Sequence, residues 1–216
     1  MLKVTNISFP GFCANCYLAV DESTNEGFLV DPGAYGERQA AYIKSQGIEK
    51  LKYILLTHGH FDHMMGVEKF RQEFSAKVVI HSLDEDKLAS DVKSLYSNFD
   101  RESEFASTSA DITVNYGDTL PLGDETIEVI HTPGHTKGGV CYKIGDALFT
   151  GDTLFKGTIG RTDFPDSDEN EMLESLIRLD KLESDCKIYP GHEGVTTLDF
   201  EKKTNYYMKL AHRRGI

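Results

Sequence analysis

The stretch Tyr53-Ile54-Leu55-Leu56-Thr57-His58-Gly59-His60-Phe61-Asp62-His63 joins an apolar run to four side chains that can bind a metal. The apolar run Tyr53–Leu56 predicts a buried strand. Neutral imidazoles and carboxylates are ligands of zinc, iron and manganese. In α/β proteins, ligands collect beyond the carboxyl ends of strands, and this cluster begins at such an end. The stretch therefore predicts an α/β fold with a metal site at the end of a strand.

The spacing within this cluster divides its ligands into two pairs. Residues i and i+2 of an extended chain point to the same side, so His58 and His60 are predicted to converge on one metal. Asp62 and His63 follow a change of direction into a helical stretch, Met65–Phe74. They are predicted to reach a neighbouring position suited to a second metal. The alternative is a His-rich loop that binds metal only adventitiously.

Composition and charge narrow the class of protein. The chain has 216 residues, 39% hydrophobic and 27% charged, which predicts one domain over residues 1–216 with a full core. The net charge of −12 argues against a nucleic-acid partner, because phosphate backbones require basic patches. No apolar run approaches the roughly 18 residues of a membrane span, and the first residues lack the apolar core of a signal peptide. A cytoplasmic enzyme without a membrane partner is expected.

The cysteines favour a structural role over a redox role. Cys13-Ala-Asn-Cys16 forms a C-x-x-C, and the other two cysteines are Cys141 and Cys186. A second C-x-x-C is absent from the sequence, and Cys16 leads into a predicted strand, where buried cysteine is common. Disulfides are not expected in a cytoplasmic chain.

The order of predicted elements indicates a layered fold. Patterns rich in β-branched and aromatic residues predict strands at Val4–Phe9, Cys16–Val20, Gly27–Val30, Tyr53–Leu56, Lys77–Ile80, Ile112–Val114, Thr126–Ile130, Val140–Ile144, Ala147–Thr150 and Lys187–Tyr189. Helical spacing predicts helices at Glu37–Gln46, Val67–Phe74, Glu171–Leu182 and Phe200–His212, with residues 84–110 helical in part. Each half has a strand meander and covering helices, which predicts two sheets packed face to face with helices outside, a four-layer αββα sandwich.

Three further candidate ligands follow later strands. His135 comes after Thr126–Ile130, Asp152 after the strand that begins at Ala147, and His192 after Lys187–Tyr189. Each is preceded by a glycine, which lets the backbone turn sharply and approach a site closely. One such position is a weak signal, whereas four strand ends that all offer ligands predict one shared site.

At these motifs the chain resembles the metallo-β-lactamase superfamily, and within it the glyoxalase II-like metal-dependent hydrolases. The segments that carry the resemblance are Thr57–His63, Thr132–Thr136 and Phe149–Phe155. The resemblance implies the αββα metallo-β-lactamase fold and a centre of two divalent ions, with zinc expected first and iron or manganese as alternatives. It assigns the ligands by position: His58, His60 and His135 to the first metal, Asp62, His63 and His192 to the second, and Asp152 to both. An anionic bridge agrees with the need to screen two adjacent cations.

The resemblance also implies hydrolysis of a small-molecule acyl thioester by a metal-bound hydroxide, and Asp62 is expected to orient that hydroxide. The loop Gly157–Pro165 resembles a substrate loop of the glyoxalase II-like proteins. Arg161 is therefore predicted to contact a substrate carboxylate, with Lys156 as a weaker candidate. The alternative for Arg161 is a structural pair with Asp163.

Three residues are predicted to support the ligands without binding metal. Asp31 is given this role by the resemblance alone. His131 precedes the loop that carries His135 and is expected to orient it by hydrogen bonding. His81 ends the strand Lys77–Ile80 and is assigned a supporting or structural role. Glyoxalase II carries a C-terminal helical domain, whereas here the residues after His192 suffice for one helix. The chain is thus similar to a shorter branch, whose thioester substrate can differ.

Three other functions are open at this point. A persulfide dioxygenase shares much of the pattern and would use one iron held by His58, His135 and Asp152. A phosphodiesterase or ribonuclease of the superfamily is disfavoured by the negative charge. A non-catalytic metal-bound module is disfavoured by the complete ligand set. The sequence makes no prediction of oligomeric state.

Overall fold

The computed structural model describes residues 1–9, 11, 13–99 and 104–215, which fold around two six-stranded sheets. The first sheet contains β1 (Leu2–Asn6), β2 (Tyr17–Asp21), β3 (Glu26–Val30), β4 (Lys50–Leu55), β5 (Lys77–His81) and β6 (Ile112–Val114). The second contains β7 (Thr119–Leu122), β8 (Glu125–His131), β9 (Val140–Ile144), β10 (Ala147–Gly151), β11 (Lys187–Pro190) and β12 (Thr196–Thr197).

Strand order follows the chain in both sheets. The first sheet runs β1-β2-β3-β4-β5-β6, antiparallel up to β3 and parallel from β3 to β6. The second runs β12-β11-β10-β9-β8-β7, antiparallel except for the parallel pair β10 and β11. The parallel strands bring the ends of β4, β10 and β11 to the edge where the predicted ligands follow.

The helices cover the outer faces. They are α1 (Glu37–Ser45), α2 (Phe61–Met64), α3 (Val67–Phe74), α4 (Tyr96–Phe99), α5 (Glu169–Asp180), α6 (Leu198–Thr204), α7 (Tyr206–Gly215) and a 3-10 helix, Ser82–Ala89. α1 and α3 pack on the first sheet through residues such as Ile43 and Phe70, and α5 and α7 pack on the second through Leu176 and Met208.

The core between the sheets confirms the predicted four-layer αββα sandwich. Tyr17 and Phe28 of the first sheet meet Tyr142 and Phe149 of the second, and all four are almost fully buried. Because strand side chains alternate in direction, the remaining apolar residues of each strand face the helices. Burial of aromatic and aliphatic surface on both faces of each sheet is the main source of stability here.

Two short strands were not predicted. β7 contains Pro121, which lacks a backbone N–H, and turns flank it on both sides. It lies at the edge of its sheet, where a proline can be accommodated because its missing donor faces away from the partner strand. β12 has two residues and lies at the opposite edge, too short to show a pattern.

The prediction of one continuous final helix over Phe200–His212 was wrong, because two helices, α6 and α7, span this segment. Asn205 separates α6 from α7 and is buried. Its Nδ2 donates to the carbonyl of Thr158 at 3.1 Å and to Glu201 Oε2 at 2.9 Å, and its Oδ1 accepts from the N–H of Tyr207 at 2.9 Å. These tertiary and capping bonds outweigh the helical propensity of the flanking residues.

Residues 84–110 are helical in part, as predicted, through the 3-10 helix and α4, although residues 100–103 lie outside the described part. All four cysteines are free thiols. Within the described ranges, the helices are all too short or too polar to cross a bilayer.

Candidate metal centre

Three histidines meet beyond the ends of β4 and β8. His58 Nε2 lies 3.0 Å from His60 Nδ1, which lies 2.9 Å from His135 Nε2. The chain bends at Thr57 and His58, and His60 is extended where it caps α2, which begins at Phe61. The three ligand atoms lie within 4.8 Å of one another. These rings form the first predicted ligand group, and the sandwich buries all three.

The second predicted group lies beside the first. His192 Nε2 is 3.2 Å from Asp62 Oδ2, which is 3.7 Å from His63 Nε2. Asp62 and His63 lie in α2, where consecutive side chains diverge around the helix and leave the direction set by His58 and His60. The change of direction inferred from the sequence therefore occurs at Phe61, earlier than the predicted helix start at Met65.

Asp152 lies between the two groups. Its Oδ1 is 3.4 Å from His63 Nε2, and its Oδ2 is 3.4 Å from His135 Nε2 and 3.6 Å from His192 Nε2. One carboxylate thus faces ligands of both groups. β10 ends at Gly151, so Asp152 is the first residue beyond the strand, and the parallel pairing with β11 sets His192 close to it.

The donor set fits a divalent metal. His63 Nε2 and Asp152 Oδ1 are buried and have no hydrogen-bond partner within the described residues, although they face each other. A buried nitrogen and a buried carboxylate oxygen without partners cost free energy unless another group satisfies them. A cation among these atoms would do so. Imidazole nitrogens with two carboxylates match zinc, iron or manganese.

The pKa values favour metal-binding forms on one side of the site. Burial, reinforced by neighbouring histidines, holds the pKa of His58 and of His60 well below the ordinary value, so both imidazoles are neutral and can ligate. For Asp152, burial alone would raise the pKa, but His63 and the other histidines lower it below the ordinary value. That carboxylate is therefore anionic at neutral pH.

On the other side, carboxylates favour protonated imidazoles. Burial alone would lower the pKa of His63, but Asp62, Asp31 and Asp152 raise it well above the ordinary value. For His192, Asp62 and Asp152 outweigh the same effect of burial and raise the pKa. Because a metal binds imidazole in its deprotonated form, metal binding at His63 and His192 would compete with protons.

Asp31 holds the strand-end loop from behind. Its Oδ1 accepts from the N–H of Thr57 at 2.8 Å, its Oδ2 accepts from the Thr57 hydroxyl at 2.7 Å, and Oδ2 lies 3.0 Å from His63 Nδ1. Asp31 is buried at the end of β3 with a positive φ of 48°. Asp31 therefore holds the backbone of Thr57 and places a carboxylate beside His63, and its supporting role stays a prediction.

His81 and His131 form a pair away from the ligands. Their rings stack with centroids 4.2 Å apart and planes at 7°, which joins the ends of β5 and β8 across the two sheets. His131 Nε2 donates to the carbonyl of Lys137 at 2.8 Å, in the loop that carries His135. His81 Nδ1 accepts from the N–H of Leu83 at 3.2 Å. Their contact with the site is thus indirect, through that loop.

Asp84 is a supporting residue that sequence reasoning missed. Its carboxylate is fully buried, with Oδ2 accepting from the N–H of Gly59 at 2.9 Å and Oδ1 from the N–H of Gly138 at 2.9 Å. Gly59 separates His58 from His60, and Gly138 follows His135. Lys87 supplies the counter-charge for this buried carboxylate. Its Nζ lies 3.5 Å from Asp84 Oδ1 and 2.6 Å from Asp166 Oδ2.

Two glycines permit the close approach that the ligands need. A Cβ on Gly191 would lie 2.3 Å from Asp152 Oδ1 and 2.8 Å from His63 Cε1. A Cβ on Gly160 would lie 1.9 Å from the carbonyl oxygen of Asp152. Both positions therefore require glycine, because any side chain there would collide with Asp152 or His63.

A cavity of about 510 Å³ opens above the cluster and includes Arg161 in its wall. The Arg161 guanidinium donates to both oxygens of Asp163, at 2.6 and 2.7 Å, and stacks on the Phe164 ring 4.3 Å from its centroid. The structure thus contains the Arg161–Asp163 pair; a contact between Arg161 and substrate stays a prediction. Lys156 is exposed and outside the described lining of the cavity.

The layered fold and the strand-end cluster agree with a family comparison. The family model described as the metallo-beta-lactamase superfamily matches residues 11–192. The chain belongs to the metallo-β-lactamase superfamily. It is also 31% identical over 217 residues to "Hydroxyacylglutathione hydrolase GloC" of Haemophilus influenzae, an alignment that covers 96% of this chain and 98% of that protein.

Solved structures of the superfamily resemble the chain over most of its length. The B3 metallo-β-lactamase BLEG-1 has a TM-score of 0.87 and 30% identity, with 96% of this chain and 99% of that one covered. ETHE1 from Myxococcus xanthus has a TM-score of 0.78 and 26% identity, with 99% of this chain and 92% of that one covered. TTHA1623 in a di-iron-bound form has a TM-score of 0.78 and 29% identity, with 94% of this chain and 99% of that one covered. The chain thus carries the metal-binding His and Asp cluster of a superfamily that includes two-metal proteins.

Proposed function

We propose that this chain hydrolyses acyl thioesters at a centre of two divalent metal ions. His58, His60 and His135 would hold the first ion, Asp62, His63 and His192 the second, and Asp152 both. The observation that carries the proposal is the position of the Asp152 carboxylate, whose two oxygens face histidines of both groups at 3.4 to 3.6 Å. Zinc is proposed first, with iron and manganese as alternatives for the same donor set.

Metal bound there would acidify a water molecule towards neutral pH and polarise the substrate carbonyl. The protein supplies position and charge. The partly exposed carboxylate of Asp62 lines the cavity. There it can accept a hydrogen bond from an attacking water molecule. The burial of His58 and His60 keeps them neutral, so they bind metal without competition from protons at neutral pH.

A thioester suits this site because the departing thiol has a pKa of about 8.5 and needs little proton assistance. The similarity to GloC supports the same bond type, since that protein is named for a hydroxyacylated glutathione. Residues that hold the acyl group and the thiol are separate from the ligands, so the substrate of this chain need not be that of GloC.

One geometric feature supports a second candidate, oxidation of a persulfide at a single iron. His135 Nε2 lies 3.4 Å from Asp152 Oδ2, and His58 shares a ligand group with Asp152. Two histidines and one carboxylate form the ligand set of non-haem iron oxygenases. This candidate leaves Asp62 and His192 without a metal to bind, which is why hydrolysis is preferred.

Two assays on metal-reconstituted protein separate the candidates. Release of free thiol from acyl thioesters, followed with a thiol-reactive dye, is expected for zinc- or manganese-loaded protein, without oxygen uptake. Oxygen consumption with glutathione persulfide by iron-loaded protein, in the absence of thioester hydrolysis, would overturn the first proposal in favour of the second.

A further inference from the structure

The wall of the cavity above the ligands is mainly apolar. Its volume is about 510 Å³, within the range of small-molecule sites. Apart from the ligands, the wall is formed largely by the side chains of Phe61, Leu95, Phe155, Ile159 and Phe164. Such a surface gains free energy by removing apolar groups of a ligand from water.

The apolar surface begins directly at the metal ligands. The Phe164 ring lies 5.3 Å from the His60 ring and 5.7 Å from the His135 ring, centroid to centroid. On the other side, the Phe155 ring lies 5.9 Å from the His192 ring. A carbonyl held at the cluster therefore has apolar surface on both sides of it, where the first carbons of an acyl group would lie.

The charged residues of the cavity wall do not favour a substrate whose thiol part is anionic. Arg161 is the one lysine or arginine among the described lining residues, and Asp163 occupies its guanidinium through two hydrogen bonds. Glu193 adds a carboxylate to the wall. A thiol such as glutathione, which carries two carboxylates, would meet one neutralised cation and one like charge.

We propose that the site selects thioesters with an apolar acyl chain and a thiol that carries no net negative charge. The proposal rests on thioester hydrolysis as the function and adds the class of substrate. Phe164 and Phe155 flank the reacting carbonyl, and Ile159 and Leu95 extend the apolar wall that receives the chain.

Binding measurements test the substrate class, and hydrolysis assays test the function on which it rests. For binding, calorimetry compares non-hydrolysable thioethers, S-ethyl and S-butyl derivatives of N-acetylcysteamine, with the matching glutathione thioethers. Each added methylene is expected to tighten binding by about fourfold, the effect of burying one CH₂ group. The neutral thioether is expected to bind more tightly than its glutathione counterpart. For hydrolysis, acetyl and butyryl thioesters of the same two thiols are assayed on zinc-loaded protein.

Variants link the effect to the wall. In Ile159→Ala and Leu95→Ala, the butyl-to-ethyl affinity ratio is expected to fall, because both side chains line the cavity without binding metal. Val92→Ala is the control, since Val92 is apolar but 66% exposed and outside the described cavity wall. Its ratio is expected to match that of the parent chain.

The outcomes are distinct. Equal affinity for short and long chains, or tighter binding of the glutathione derivatives, overturns the substrate inference even if thioesters are hydrolysed. Length-dependent binding of the neutral thioethers without hydrolysis of any thioester supports the apolar ligand class and overturns thioester hydrolysis as the function.

Discussion

The Asp84 carboxylate holds the Gly59 backbone between two metal-binding histidines: Oδ2 accepts from the Gly59 N–H at 2.9 Å. The other oxygen of the same carboxylate accepts from the N–H of Gly138. One buried anion therefore links the loop of His58 and His60 to the loop of His135. Positions of ligands from two different sheets depend on it, because β4 and β8 belong to different layers.

Asp84→Asn is expected to weaken both metal binding and folding. The amide nitrogen would face a backbone N–H, leaving a buried donor unsatisfied at a cost of about 1–3 kcal/mol in the free energy of unfolding. Displaced ligands should lower metal affinity by about 10-fold to 100-fold. Urea unfolding of the metal-free protein and competition with a chromophoric chelator measure the two effects.

Asp86→Asn is the matched control for this change. Asp86 lies in the same 3-10 helix, but its side chain is 57% exposed and its ion-pair partner is the equally exposed Lys93. Its free energy of unfolding should change by less than about 0.5 kcal/mol. Equal metal affinity in the parent and in Asp84→Asn would show that Asp84 has no part in positioning the ligands.

Gly191→Ala is expected to reduce metal content. The new Cβ would lie 2.3 Å from Asp152 Oδ1, so the carboxylate would have to leave its position between the two groups. Gly194→Ala is the control, because its Cβ would have one neighbour, at 3.9 Å. Elemental analysis of both purified variants gives the comparison. Full metal content in Gly191→Ala would contradict the close packing described for Asp152.

Stability is expected to fall on acidification through His81. Burial, followed by the neighbouring His131, lowers the pKa of His81 to about 4. In the unfolded chain the pKa is about 6.5, so between these values the unfolded state binds a proton that the folded state excludes. Stability from this group is present above about pH 6.5 and is lost as the pH falls towards 4.

His81→Gln should remove this dependence. Between about pH 6 and pH 5, the free energy of unfolding of the parent chain is expected to fall by about 1 kcal/mol more than that of the variant. Denaturant unfolding of both metal-free proteins at the two pH values measures the difference. Parallel pH dependence in the two proteins would show that His81 does not titrate between the folded and unfolded states.

Asp152→Ala is expected to lower metal content and turnover together, since it removes the carboxylate that faces both ligand groups. Asp124→Ala, in the exposed turn between β7 and β8, serves as the control and should retain both. Metal analysis and thioester assays are run on the same preparations. Full occupancy with full activity in Asp152→Ala would rule out its bridging role.

The sequence predicted the ligand-bearing strand ends because each carries a local signal: an apolar run, a glycine turn and a His or Asp. Asp84 has no such signal. Its partners are backbone N–H groups of Gly59 and Gly138, distant along the chain, and backbone donors leave no trace in side-chain identity. The same reason explains the break at Asn205, where a bond to the Thr158 carbonyl overrides helical spacing.

Arg161 illustrates a second limit. Its place in the loop suggested both a substrate contact and a pair with Asp163, and spacing alone could not separate the two. The structure contains the pair, with both carboxylate oxygens engaged. The character of the cavity wall was also hidden, because its apolar residues come from α2, the segment around Leu95 and the loop after β10, which are separated in the chain.

Titration of metal-free protein with zinc tests whether thioesters are hydrolysed at a two-metal centre. Thiol release from an acyl thioester is followed while zinc is added in known equivalents per chain. Activity is expected to rise to a plateau at two equivalents and to be absent without metal. A plateau at one equivalent, or no thioester hydrolysis at full occupancy, would contradict hydrolysis at a two-metal centre.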